Sequence, residues 1–518
     1  MIAQVQPLLL PSVEWSQMAP ELILIGGALV LLVAGTFRHD RRMATGACIF
    51  TIAVALAAMV SAAGLWHDVG GGRGGARLAV ADALVIDGFG IYFTFVICCA
   101  VVLGALLAHG YLIRERLESP SFFVLMLLSA SGGVLMAQAN DLILIFLGLE
   151  ILSISLYVLA GYHQRREQSR EAAIKYFVLG SFSSAFFLYG IALTYGATGS
   201  TNLGAIADFL STQTVTQGVL LGGFAFLLVG LGFKVAAVPF HMWTPDVYQG
   251  SPTPVTGFMA AAAKAAGFAA LLRIFFSAFG TQRLDWQPIV WALAILSMVV
   301  GSILAVVQTD VKRMLAYSSI SHAGYILIGL QAATDRGIAG SLFYLLAYTF
   351  MVSGSFAIVS VVGRRGDART SLDAYRGLAR TRPGLAFAFT VFLLAQAGIP
   401  FTSGFLAKFY VISAAVESGS YAIAVVAMLA SVVAAYFYLR LVVVMYMADD
   451  QVMAGVAARE GTAGAGGVVT ADPEVATKLD IPVGAAIAIG LALAFTIGAG
   501  LLPQPLIDLA RHATVLHL

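Results

Sequence analysis

Four ionisable side chains sit inside apolar segments long enough to cross a bilayer: Glu150, Lys234, Lys264 and Lys408. An ionised group near the middle of a membrane costs about 2.5–3.5 kcal/mol on insertion scales, so four would cost on the order of 10 kcal/mol unless they face a wet or paired interior. Packing alone does not offset such a cost. Loss of hydration disfavours a buried charge and a nearby opposite charge favours it, so a group held between the two effects can take up and release a proton. These residue types at this depth point to an ion or proton path. A contact between Glu150 and Lys234, made and broken, would switch the affinity of Lys234 for its proton.

The neighbours of each residue sharpen the reading. Glu150 lies at the centre of its segment, in Leu147-Gly148-Leu149-Glu150. Lys264 is flanked by Ala260–Ala263 and Gly267, small residues that leave room for water or for close helix approach. Lys234 precedes Pro239, and Lys408 follows Pro400. Lysines near helix ends usually snorkel to the interface, as expected of Lys175; Lys264 and Glu150 are too central for that. A static Glu150–Lys234 salt bridge would leave Lys264 and Lys408 unexplained. His322, in Ser318-Ser319-Ile320-Ser321-His322, fits either a relay member or a satisfied interior histidine. Arg440 is expected to face the cytoplasmic end of its helix.

Composition sets the class. Of 518 residues, 60% are hydrophobic and 11% charged, with a mean hydropathy of +0.91. Soluble domains average about 25% charged residues, so the chain is an all-α polytopic membrane protein. A net charge of +2 gives no reason to expect a nucleic-acid partner. Cys48, Cys98 and Cys99 lie in apolar segments, and no Cys/His cluster has metal-ligand spacing, so no zinc, haem or iron–sulfur centre and no other cofactor is expected in this chain. The N-terminus lacks the charged region of a secretory signal and is expected to be retained. Gly70–Gly75 formally matches a dinucleotide fingerprint, but that motif needs a strand before it and a helix after it. It reads as a flexible linker.

Runs of about 20 apolar residues place about 14 transmembrane helices near 19–37, 44–66, 88–112, 121–139, 140–162, 171–196, 217–240, 252–276, 288–307, 308–330, 337–363, 384–412, 420–447 and 482–502. The fourth and fifth are split at Asn140-Asp141, the ninth and tenth at Gln308-Thr309-Asp310. With the N-terminus outside, cytoplasmic loops hold eighteen lysines and arginines against five on the other side, the bias expected of correct topology. Both termini then lie outside.

The seventh and twelfth spans each carry a β-branched residue, Pro and Phe beside a buried lysine: Lys234…Val238-Pro239-Phe240 and Ile399-Pro400-Phe401…Lys408. Helices 7 and 12 are therefore expected to be discontinuous. The five-span offset predicts two inverted five-helix repeats, helices 4–8 and 9–13, a recurring transporter design. The organisation reads as an N-terminal three-helix segment (1–120), a first five-helix repeat (121–276), a second, inverted one (288–447), a cytoplasmic loop (448–481) and a C-terminal helix (482–518). The loop, Gly/Ala-rich with several acids, carries no assignable motif.

Over roughly residues 80–450 the chain resembles the antiporter-like subunits of respiratory complex I, related to Mrp-type cation/proton antiporters. The resemblance rests on Gly148-Leu-Glu150, Lys234-Val-Ala-Ala-Val-Pro239-Phe-His241-Met-Trp243-Thr-Pro245-Asp246-Val-Tyr248, Ser251-Pro252-Thr-Pro254-Val, Lys264, Asp310-Val-Lys312-Arg313…Ser-His322-Ala-Gly-Tyr325 and Gly398-Ile-Pro400. It implies one proton channel, with Glu150 and Lys234 in the input half, Lys264 bridging, Lys408 at the exit and His322 on the polar axis between. Lys408, where a sibling subunit has glutamate, points to the member nearest the quinone-binding arm. So does a chain ending about sixteen residues after the last span, where the largest sibling continues into a long lateral helix.

The implied partners are the lipid bilayer, sibling antiporter-like subunits and the small multi-helix subunits beside the quinone arm. Flavin, iron–sulfur clusters and quinone site are expected in partner subunits, and the location in a bacterial inner membrane. The alternative is a subunit of an Mrp-type Na⁺/H⁺ antiporter, which would lack NADH-oxidising partners. A carrier of organic solutes would need a midplane pocket of mixed polar and aromatic groups, and the lysines are instead spread over several helices.

Overall fold

Without water inside the bilayer, every backbone N–H and C=O must be satisfied within the chain, and helices do this segment by segment. The computed structural model describes residues 13–37, 41–71, 75–213, 217–447 and 480–514. Among them, 12 helices are long and apolar enough to cross a membrane, and the fold is a predominantly helical, multi-pass one. In chain order the principal elements begin with α1 (Ala19–Phe37), α2 (Arg41–Asp68), α3 (Gly88–Glu115), α4 (Ser121–Gln138), α5 (Leu142–Ala160) and α6 (Glu167–Thr198). The loop helix α7 (Leu203–Thr212), α8 (Gln217–Val235), α9 (Trp243–Gly250), α10 (Thr253–Ala278), α11 (Arg283–Val306) and α12 (Val311–Ala332) follow. Then come α13 (Asp335–Val362), α14 (Pro383–Ala397), α15 (Ser403–Glu417), α16 (Tyr421–Tyr446), α17 (Val483–Leu501) and α18 (Gln504–His512). The loop at 448–481 lies outside the described residues except for Asp480 and Ile481.

The polar interruptions in the sequence are helix caps. Asp141 caps α5 by accepting from the backbone N–H of Ile143 at 2.8 Å, and Asp310 caps α12 by accepting from that of Arg313 at 2.9 Å. A carboxylate there satisfies amides the helix leaves unpaired. Both proline segments are genuine breaks. The seventh expected span ends at Val235, five residues before its expected end, with Ala236 at φ +63° and a cis Val238–Pro239 bond, and the chain resumes as α9. The twelfth is interrupted between Ala397 and Ser403, where Gly398 takes φ +92° and Phe401 φ +67°. The glycine-rich stretch near residue 70 forms a turn at Gly70-Gly71, followed by a short antiparallel hairpin (Arg77–Ala79 with Leu84–Ile86) rather than a strand–helix unit.

Close helix crossings use small residues, as membrane helices commonly do. A Cβ on Gly132 would lie 2.6 Å from the carbonyl oxygen of Gly148, so α4 and α5 touch backbone to backbone two residues before Glu150. At the α11–α12 crossing, a Cβ on Gly301 would meet the backbone nitrogen of Ser321 at 2.6 Å, and one on Gly324 the Ala294 oxygen at 2.7 Å. The interior is built around α10 and α13, buried along nearly all their length, while α1, α6 and α16 leave large apolar side chains facing outward.

Candidate functional site

α8 ends one residue after Lys234, and α10 lies against it: a Cβ on Gly267 would sit 3.2 Å from the Lys234 Cγ. Lys234 is buried, and its Nζ donates to Ser153 Oγ of α5 at 2.8 Å and to the Tyr176 hydroxyl of α6 at 3.3 Å. Glu150, half-buried and one turn before Ser153, accepts a short hydrogen bond from Ser184. The expected direct contact between Glu150 and Lys234 is thus replaced by hydroxyls: Ser184 satisfies the carboxylate and Ser153 the ammonium. A serine or tyrosine hydroxyl both donates and accepts, so each of the two ionisable groups is bonded to a group of the kind that can pass a proton.

Lys264 resumes the α-helical hydrogen bonding of α10 directly after a π-helical turn, Met259–Ala263. Such turns are frequent at functional sites because they re-aim the following side chains. Its Nζ donates to both the Oγ and the carbonyl oxygen of Ser319 on α12 at 2.5 Å and stands 5.3 Å over the Tyr348 ring. On α12, Ser318 makes a short bond with the Tyr438 hydroxyl of α16. That hydroxyl is also 3.1 Å from His322 Nε2 and donates to Gln396 Oε1 of α14 at 3.5 Å. His322 Nδ1 lies 2.6 Å from the Tyr344 hydroxyl.

Lys408 follows the break in α14–α15, donating to the Ala397 carbonyl at 2.9 Å and to Ser431 Oγ at 3.3 Å. Ser431 is 2.7 Å from the Tyr325 hydroxyl, over whose ring the Lys408 ammonium stands at 4.6 Å. All three lysines rest on tyrosine faces, a favourable site for a desolvated cation. Lys264, His322 and Lys408 all reach α12, while Lys234 and Glu150 stand beside α5 and α6. His322 is hydrogen-bonded on both ring nitrogens, so each of its two expected roles keeps a structural basis.

Sequence reading missed three groups. Asp87, before α3, and Arg273, near the end of α10, form a buried bidentate pair at 2.8 and 2.9 Å, and Arg273 Nε donates to Ala137 at 2.7 Å. Asp367, in the connection after α13, is fully buried and binds Arg166 at 3.0 Å, Tyr111 at 3.2 Å, the Thr253 amide at 3.3 Å and Lys312 at 3.7 Å. Burial alone would raise its carboxyl, but Lys312, Arg166 and Arg114 outweigh that and hold it below the usual aspartate range. Glu21, in the first turn of α1, is buried with neither carboxyl oxygen bonded to a protein group among the described residues. The tyrosine set was equally silent, because a tyrosine in an apolar run looks like any other aromatic residue.

Lys175 leaves the helix surface through ion pairs to Glu171 at 2.6 Å and Asp246 at 2.8 Å, and Arg440 donates to the Val306 carbonyl at the end of α11. A polar cavity of about 770 Å³ opens beside Lys175, lined also by Arg166, Asp246, Arg313 and Asp367. Among the described residues, no group of three or more His, Cys, Asp or Glu could hold a metal ion.

The family profile described as NADH:quinone oxidoreductase/Mrp antiporter, transmembrane, matches residues 139–434. The NADH-quinone oxidoreductase subunit N of Trichlorobacter lovleyi is 43% identical over 440 residues, 85% of this chain and 88% of that protein. That of Parafrankia sp. is 40% identical over 529 residues, 97% of this chain and 95% of that protein. Among solved structures, a chain of respiratory complex I from Thermus thermophilus is 34% identical with a TM-score of 0.75, covering 94% of this chain and 98% of that one. A chain of the Mrp complex from Dietzia sp. DQ12-45-1b gives a TM-score of 0.82 over 97% of each chain at 22% identity, a likeness of fold alone.

Proposed function

Because the chain belongs to the NADH:quinone oxidoreductase/Mrp antiporter transmembrane family, we propose that it is a proton-translocating membrane subunit of NADH-quinone oxidoreductase. In this reading it holds no redox centre and relays protons through Glu150, Lys234, Lys264, His322 and Lys408. The observation that carries the reading is that each buried lysine is bonded to a hydroxyl: Lys234 to Ser153 and Tyr176, Lys264 to Ser319, and Lys408 to Ser431, beside the Tyr325 ring. Energy from NADH oxidation and quinone reduction in partner subunits would drive the cycle.

Glu150 and Lys234 form the input half, Lys264 bridges to α12, and Lys408 is the exit group beside the second break. We further assign fourteen spans, counting α12 and the interrupted α14–α15 with the twelve apolar helices, and both termini on the outer side. The two five-helix repeats, 121–276 and 288–447, follow from the matching breaks at Pro239 and Pro400. The partners would be sibling antiporter-like subunits and the small subunits beside the quinone arm, in a bacterial inner membrane. The identity to subunit N relatives over most of the chain favours this assignment over a stand-alone antiporter.

The test is substitution in the intact complex. Lys234→Ala and Glu150→Ala should each abolish coupled proton pumping while the subunit stays folded and assembled. Wild-type pumping and quinone reduction in both variants would overturn the assignment.

A further inference from the structure

The stretch His241–Tyr248 is long and specific, yet none of its residues enters the relay described above. Its place in the fold suggests a task. Trp243, at the start of α9, is buried and lies flat on Tyr176, with ring centroids 4.6 Å apart and planes 9° apart. Its indole N–H is fixed by the Phe233 carbonyl at 2.9 Å, one residue before Lys234. Tyr176 in turn holds the Lys234 ammonium at 3.3 Å. One helical turn away along both helices is the polar cavity of about 770 Å³, whose lining includes Ala172 and Lys175 of α6 and Asp246 of α9.

Ala172 precedes Tyr176 by four residues, one helical turn on the same face, and Asp246 follows Trp243 by three. The wall of the cavity and the aromatic stack are therefore successive turns of the same two helices. The charged groups at this wall are engaged with one another: Lys175 with Glu171 and Asp246, and Arg313 with Asp246 at 2.6 Å. A volume of this size lined by ionic groups is a place for water. The stack therefore lies one turn from the cavity wall and meets Lys234 through the Tyr176 hydroxyl.

We propose that the stacked Tyr176–Trp243 pair is the gate between this cavity and Lys234, with the Tyr176 hydroxyl as the group that passes the proton. The inference rests on the lysine relay proposed above. When Lys234 is neutral, its amine takes the hydroxyl proton while the hydroxyl takes one from a hydronium ion in the cavity, leaving a water molecule, a neutral phenol and a charged ammonium. Sliding or tilting of the two rings opens the water route; the flat stack closes it.

The test uses the whole complex with Ser153→Cys, which places a thiol at the position now 2.8 Å from Lys234. Its reaction with a small, membrane-impermeant cationic thiosulfonate is followed by peptide mass. Adding Trp243→Ala should speed labelling about tenfold, the worth of a well-packed aromatic pair, and Trp243→Phe should leave it slow. Tyr176→Ala opens the same barrier from the other ring and gives the same answer if Trp243→Ala fails to assemble. Tyr176→Phe should keep the introduced thiol protected while pumping, measured without the Ser153→Cys change, falls about tenfold or more.

Equal labelling with and without the stack would overturn the gate, and wild-type pumping in Tyr176→Phe would overturn the hydroxyl's part. The labelling result is independent of whether Lys234 lies on a proton path, so it separates failure of the gate from failure of the relay.

Discussion

The Asp87–Arg273 pair should be worth more to this fold than any other single contact at its end of α10. Both side chains are buried, and two N–H···O bonds of 2.8 and 2.9 Å join them in the bidentate geometry that favours arginine. The same arginine also ties α10 to the last turn of α4 through Ala137. Breaking a buried ion pair from one side costs about 3–5 kcal/mol, because the remaining charge is left without a partner in a region that cannot solvate it. At about 1.4 kcal/mol per tenfold, that is a hundredfold or more in the folded-to-unfolded ratio.

Arg273→Met and Asp87→Asn should each show this loss in detergent unfolding of the purified complex. Asparagine keeps the side-chain oxygen that accepts from Gly90, so Asp87→Asn isolates the charge from the cap. The double variant should recover about 2 kcal/mol relative to the sum of the single changes, the coupling expected of residues in direct contact. Lys264 lies nine residues before Arg273 on α10, about 13 Å along the axis, so the single variants should also lower pumping by loosening the helix that carries it. Losses below about 1 kcal/mol in both single variants would refute the reasoning.

Two further outcomes follow from the same contacts. Asp367→Asn should destabilise the assembled subunit by about 3–5 kcal/mol at pH 7, since Lys312 and Arg166 then share no counter-ion. The carboxyl is held below its usual range in the folded chain, so its contribution is complete above the ordinary aspartate value of about 3.9 and fades as pH falls further. Unfolding of wild type and variant measured across pH should thus differ by a constant amount from pH 8 to about 5, converging only below. Tyr438→Phe removes the hydroxyl shared by Ser318 and His322; pumping should fall about tenfold or more with assembly unchanged, read as proton uptake per NADH oxidised.

The sequence carried the membrane class, the positions of the breaks and the four charges inside apolar segments, because each is a local signal. Asp141 and Asp310 interrupt apolar runs and cap the helices that follow, and Pro239 and Pro400 end helices they cannot continue. What it did not carry is who meets whom. Asp87 and Arg273 are 186 residues apart, and Tyr111 and Asp367 are 256 apart. Neither member of such a pair has a local pattern that names the other. Glu150 and Lys234 were expected to touch, but each instead meets hydroxyls, and those partners, Ser184, Ser153 and Tyr176, are common residues with no spacing rule to reveal them.

α12 shows why hydropathy and function pull apart here. It is 22 residues long and almost wholly buried, yet it is not among the twelve helices apolar enough to qualify as spans. A helix that faces lipid must be apolar on its outer surface; one enclosed by other helices is free to carry Ser318, Ser319, Ser321, His322 and Tyr325 inward, provided each finds a partner. Here they do, in Tyr438, Lys264, Ser302, Tyr344 and Ser431 respectively. The polarity that weakens α12 as a membrane segment is thus what lets it connect Lys264 to the surroundings of Lys408. Burial of a polar helix, rather than the apolar character of its neighbours, marks where this chain gathers His322 and the hydroxyls beside Lys264 and Lys408.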